Sequence, residues 1–190
     1  MSIRANVGVV LLLAALAGCS TASVTLGPDS DPRVARELLT TGARNGPVRL
    51  EVNALPRAAD GGLTLAEVAN QAARGIQGAS VSFDPSPAAS GSARLVLLFD
   101  PPADIAVRHT CVAASLPAPV ASGPTRLQAL FCDGTTFIAD VTATTTDDTV
   151  AQLRRLVWRT TGHLFPDDYE HTFGLRQLGW PFGSDDSVKP

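Results

Sequence analysis

The side chains best able to do chemistry in this chain are few: three cysteines and three histidines among 190 residues. His109, Cys111, Cys132 and Asp133 make the one constellation with a metal-site character, because an imidazole, two thiolates and a carboxylate suit tetrahedral zinc. The same two cysteines could instead close a disulfide, which needs no cofactor. Asp167, Asp168, Glu170 and His171 form an acidic cluster that could hold a divalent cation through its oxygens or be a solvated exit from a helix. Arg154, Arg155 and Arg159 could grip the phosphate of an anionic lipid or form a solvated helical face. A serine hydrolase needs a histidine beside an exposed serine, and His109, His163 and His171 carry no local context for one. The sequence holds no phosphate-cradling glycine loop, no Gly-x-Ser-x-Gly elbow and no His-Glu-x-x-His pair. Catalytic and metal residues are therefore assigned to none, no cofactor is expected, and the chain reads as a non-enzyme.

The N-terminus carries a sharper signal. Arg4 is followed by an apolar run over residues 7–16, then by Ala17, Gly18, Cys19 and Ser20. A basic start, a short apolar stretch and a small-residue exit make a secretory signal peptide. The run is well short of the ~20 residues a spanning helix needs. Leu16-Ala17-Gly18-Cys19 resembles the lipobox of bacterial lipoproteins at all four positions. That resemblance implies cleavage after Gly18, a diacylglyceryl thioether on Cys19 and an acyl chain such as palmitate on its amine. Several chains anchor durably where one is marginal. Ser20 stands where an aspartate tends to retain lipoproteins at the inner membrane, so the resemblance implies the outer membrane, facing the periplasm. Export to an oxidising compartment favours a Cys111–Cys132 disulfide over zinc.

Loss of residues 1–18 leaves 172 residues, enough for one domain with a real core, and loss of Arg4 takes the net charge from −3 to −4. That balance gives no electrostatic case for nucleic acid. The sequence divides into a signal peptide at 1–18, lipidated Cys19 and a tether at 19–30, a folded domain at 31–168 and an irregular tail at 169–190 that includes Trp180 and Pro181.

Within the domain, Asp31 and Pro32 read as the cap and first residue of a helix stopping near Gly42, with Val34, Ala35, Leu38 and Leu39 inward. Residues 48–53 alternate as a half-buried strand. Thr64 and Glu67 make a capping box, flanked by Leu63 and Val68 as a hydrophobic staple, for a helix whose inward residues are Leu65, Val68, Ala69, Ala72 and Ile76. Residues 79–83 read as a short strand. The run over 94–99 reads as a strand covered on both faces. Residues 105–113 and 127–132 read as extended, joined by a Pro/Gly-rich loop centred near Ala121 and Ser122, and the Cys111–Cys132 pairing fits that hairpin. Asp133-Gly134 signals a second hairpin into 135–144, with Phe137, Ala139 and Val141 inward. A helix is expected over 147–161, capped by Thr146, with Asp147 and Asp148 at its positive end, Val150, Leu153, Val157 and Leu164 inward, and Gly162 and Pro166 ending it.

The expected fold class is α+β: one domain with a mainly antiparallel sheet of five or six strands, two main helices on one face and a short N-terminal helix. Its element order is loosely similar to small lipoproteins that assist envelope transport, such as lipopolysaccharide assembly or ABC-transport auxiliary lipoproteins. That likeness implies an accessory or binding module whose partners are the membrane, through the anchor, and an envelope protein or lipid ligand. Two other classes stay open from the residues: an envelope hydrolase or metal-dependent enzyme, and a lipid-carrying domain with a cavity between sheet and helices.

Overall fold

A computed structural model describes residues 23–58, 60–86, 91–120 and 123–167. Residues 1–22, where the signal peptide and Cys19 are expected, and residues from 168 onward, where the irregular tail of 169–190 is expected, lie outside the described residues. The chain folds as α+β around a six-stranded mixed sheet. Its central strand is β7 (Thr125–Asp133), flanked by antiparallel β6 (Ala93–Phe99) and β8 (Thr136–Thr145). Beyond β6 lie β2 (Val48–Val52) and β5 (Phe83–Asp84), both parallel additions. Beyond β8 lies antiparallel β1 (Ser23–Leu26). A ribbon of β3 (Arg57–Ala58) and β4 (Gly61–Gly62) stands apart.

Helices α1 (Pro32–Ala43), α2 (Leu65–Gly75) and α4 (Val150–Leu164) cover one face. Ala35 and Leu39, Val68 and Ala72, and Leu153 and Val157 share a buried cluster there with Leu95, Leu97, Phe99, Leu127, Phe131 and Val141. The opposite residues of the same strands, Val96, Leu98, Leu130 and Cys132, form a second cluster under Ile105, Leu116 and α3 (Val107–Thr110). β6 is therefore apolar on both sides, as its run of residues dictates. The α1 cap at Asp31 and the Thr64–Glu67 capping box form as expected, Asp31 Oδ1 accepting from Val34 N at 3.1 Å and Glu67 Oε2 from Thr64 N at 2.9 Å. Leu63 and Val68 are both buried.

Several expectations change. The tether of 19–30 is shorter than its composition suggests, because Ser23–Leu26 is a strand. Small polar and β-branched residues suffice there, since an edge strand gains its backbone hydrogen bonds from β8 without needing two buried faces. Ser30 is fixed too, its hydroxyl donating to Asp140 Oδ1 at 3.0 Å and accepting from Asp140 N at 2.8 Å. Among the described residues, the sheet thus already includes Ser23–Leu26, ahead of residue 31.

Residues 105–113 are not a strand. β7 already has β6 and β8 on its two sides, so no ladder is vacant for them, and they form the short α3 instead. The short strand expected at 79–83 shrinks to Phe83–Asp84. Phe137 packs in the second cluster and not beside Ala139 and Val141. A bulge at Phe131/Cys132 pairs Phe131 with Ala139 but Cys132 with Phe137, which reverses the alternation. Val34 and Leu65, expected inward, are 41% and 42% exposed; each lies in the first turn of its helix, beyond the edge of the packed stripe.

The last helix starts three residues later than expected, with Thr149 and not Thr146 at its N-cap position, where the Thr149 side chain makes no capping bond. Asp147 Oδ1 accepts from Thr149 N at 3.0 Å, and Asp60, far away in sequence, accepts from Val150 N at 2.9 Å. The helix also runs through Gly162. There it crosses α2 so closely that a methyl on Gly75 would stand 2.1 Å from Thr161 Oγ1 and 2.3 Å from Trp158 O, and one on Gly162 would stand 3.0 Å from Gly75 O. Both glycines serve close approach at this crossing; α2 ends at Gly75, whereas α4 continues past Gly162.

Candidate functional site

Cys111 and Cys132 are joined, with Cα atoms 5.8 Å apart. The pairing matches the sequence expectation but the hairpin behind it does not, since Cys111 follows α3 and Cys132 lies on β7. The bond ties the segment between β6 and β7 onto the second face of the sheet. Arg94 reinforces it from below, donating to Cys111 O and to Glu51 Oε1 at 3.1 Å, while Arg49 Nε reaches the same carboxylate oxygen at 2.9 Å. Sulfurs held in a disulfide have no thiolate to offer zinc. His109 is exposed on α3 and Asp133 ends β7. Among the described residues no three His, Cys, Asp or Glu side chains gather as a metal group.

The other candidates gather around α4. His163 is exposed on its last turn, and Asp167 follows Phe165 and Pro166. Both line a cleft of about 120 Å³ at the α2–α4 crossing, with Gly75, Trp158, Arg159 and Gly162. The sequence pattern marked Gly162 as a helix end and gave Trp158 no role. The signal available in it was a glycine in each of two helices that share one core face. Trp158 Nε1 donates to Arg74 O at 3.1 Å, and Arg36 Nη1 donates to Phe165 O at 2.9 Å. The last turns of α2 and α4 thereby have their free carbonyls satisfied by side chains from neighbouring helices. A cleft this small, below the ~300 Å³ of ordinary ligand pockets, admits a few heavy atoms. Asp168, Glu170 and His171, the rest of the acidic cluster, lie outside the described residues.

Of the three arginines, Arg154 pairs with Glu67 across the two helices, while Arg155 is exposed and Arg159 half-buried. Glu67 accepts first from the Thr64 backbone, then from Arg154 and the Thr64 hydroxyl, and these bonds lower its carboxyl from 4.5 to about 2. A depressed carboxylate contributes stability above its unfolded pKa and loses it as the pH falls through the folded one. Glu67→Gln is therefore expected to flatten the fall in urea-unfolding midpoint between pH 4.5 and 2 while changing its slope little above pH 5. An unchanged acid limb would show that the pairing contributes nothing in solution.

Charge is unevenly laid out. The three long helices carry Arg33, Arg36, Arg74, Arg154, Arg155 and Arg159 against Glu37 and Glu67. No helix among the described residues is long and apolar enough to cross a membrane. Comparison with known protein families finds no matching model, and comparisons with curated proteins and with solved structures find no match.

Proposed function

We propose that this chain is a lipid-anchored module of a bacterial cell envelope, held by Cys19 at the outer membrane facing the periplasm, and that it acts there as a non-enzymatic binding or accessory protein. The observation that carries the reading is Leu16-Ala17-Gly18-Cys19 placed directly after a short apolar run. The disulfide fits an exported chain, and it gives the odd cysteine total a sense: two are paired and the third is left for lipid. The binding role is supported by what occupies the sites that chemistry would need. The cysteines are bonded to each other, and the space between sheet and helices is filled by Phe99, Phe131, Phe165 and leucines, each at most 1% exposed. That filled interior also favours a surface-binding module over a lipid carrier, which would need a cavity there.

Cys19→Ala tests the anchor. After growth with labelled palmitate the unaltered protein is expected to carry the label and the variant to carry none. Equal labelling of the two, or no label on either, would remove the basis of the reading.

A further inference from the structure

The anchor reading, on which the following rests, becomes geometrically specific because the fold starts so soon after Cys19. From Cys19 to Ser23 there are four Cα steps, which span at most about 14 Å. β8 alone has 10 residues, so the sheet is about 30 Å long in the strand direction. The end holding Ser23 is therefore kept near the bilayer, and the other end cannot replace it without the sheet lying on its side.

The register identifies that end. Ser23 pairs with Thr144, and Thr144 pairs with Arg126 at the start of β7. Asp100 N, just past β6, donates to Arg126 O at 2.7 Å, and Val120 N donates to Asp100 O at 2.7 Å. β2 runs parallel to β6 and finishes at the same end, with Leu55 three residues beyond it. α4 begins there after β8, and Leu65 opens α2 beside it, where Glu67 meets Arg154. Leu55, Leu65 and Val120 are thus on one rim, 36%, 42% and 54% exposed. Among the described side chains at this rim, Asp60, Asp100, Asp147 and Asp148 stand against Arg126, while Glu67 is paired with Arg154.

We propose that this rim is a bilayer-docking surface, with Leu55, Leu65 and Val120 seated among zwitterionic headgroups. Apolar side chains held within tether reach of an interface gain by burial there. The acidic excess opposes an anionic surface over a Debye length of ~8 Å, so the preferred lipid is neutral.

Single-site labelling of the full lipidated protein tests this. With Cys19 acylated and Cys111 bonded to Cys132, an introduced thiol is the reactive one. A fluorophore is placed by Leu55→Cys, Leu65→Cys or Val120→Cys, and by Val34→Cys or Val112→Cys at the far end. The proteins are reconstituted in phosphatidylcholine vesicles with a headgroup-depth quencher. Loss of fluorescence at 55, 65 and 120 but not at 34 and 112, weakened when phosphatidylglycerol is added, is the expected result. Co-flotation with vesicles but equal quenching at all five sites overturns the docking and leaves the anchor standing. Quenching that strengthens with phosphatidylglycerol overturns the neutral-lipid preference. Failure of the unaltered protein to co-float overturns the anchor and the docking together.

Discussion

Phe131→Ala is expected to cost about 3–5 kcal/mol. Phe131 lies in the C-terminal half of β7, fully buried, among residues contributed by the sheet and by the helices above it. Its ring meets Phe165 edge-on, with centroids 5.1 Å apart and planes at 85°. Phe165 is the first residue after α4, so this contact fastens the end of the longest helix to the sheet. The alanine variant leaves a cavity lined by both, and neighbours such as Ala129 and Ala139 are too small to fill it. Urea unfolding followed by circular dichroism measures the loss; a change below about 1 kcal/mol would mean that α4 is not packed as described.

The second large effect is expected from Cys111→Ser with Cys132→Ser, at about 3 kcal/mol from the chain-entropy model for a loop of this size. The separation of 21 residues sets that size. The segment between β6 and β7 has other holds: Asn53 Nδ2 donates to Pro117 O at 3.2 Å, and Arg126 donates to Pro101 O and to Pro102 O. The variant is therefore expected to fold, with its sheet and helices intact, and to lose protection chiefly around α3 in hydrogen exchange. Global loss of helical signal would show instead that the second cluster, with Val96, Leu98 and Leu130, depends on the bond to form.

The parts of this fold that local chemistry determines were legible in the sequence. Asp31-Pro32 and Thr64-x-x-Glu67 start helices because their caps are made from residues three apart, and the apolar run of β6 is itself the mark of a strand buried on both faces. What escaped depends on partners distant in sequence. β1 is a strand because β8 offers it an edge, α4 starts where Asp60 reaches Val150 N, and the 105–113 segment is not a strand because β7 has no free side. Phe137 faces the second cluster because of a bulge, which one extra residue creates without any composition signal. The disulfide shows how a right pairing can follow from a wrong hairpin: with Cys19 set aside, Cys111 and Cys132 leave one possible pair, whatever elements carry them.

The candidate site was less legible for the same reason. His109 and His163 meet no catalytic context in sequence, and the cleft at Gly75 and Gly162 exists only because two helices cross there. The likeness of Leu16-Ala17-Gly18-Cys19 to a lipobox rests on residue types alone and needs no tertiary partner, and for that reason it was the most explicit functional signal in the sequence.

The intact mass of the protein extracted from membranes tests the central claim most directly. The account predicts a chain beginning at Cys19, lighter by residues 1–18 and heavier by a diacylglyceryl group and one amide-linked acyl chain, with both extra masses on the N-terminal peptide. A chain that keeps residues 1–18, or one that begins elsewhere with Cys19 unmodified, would contradict it.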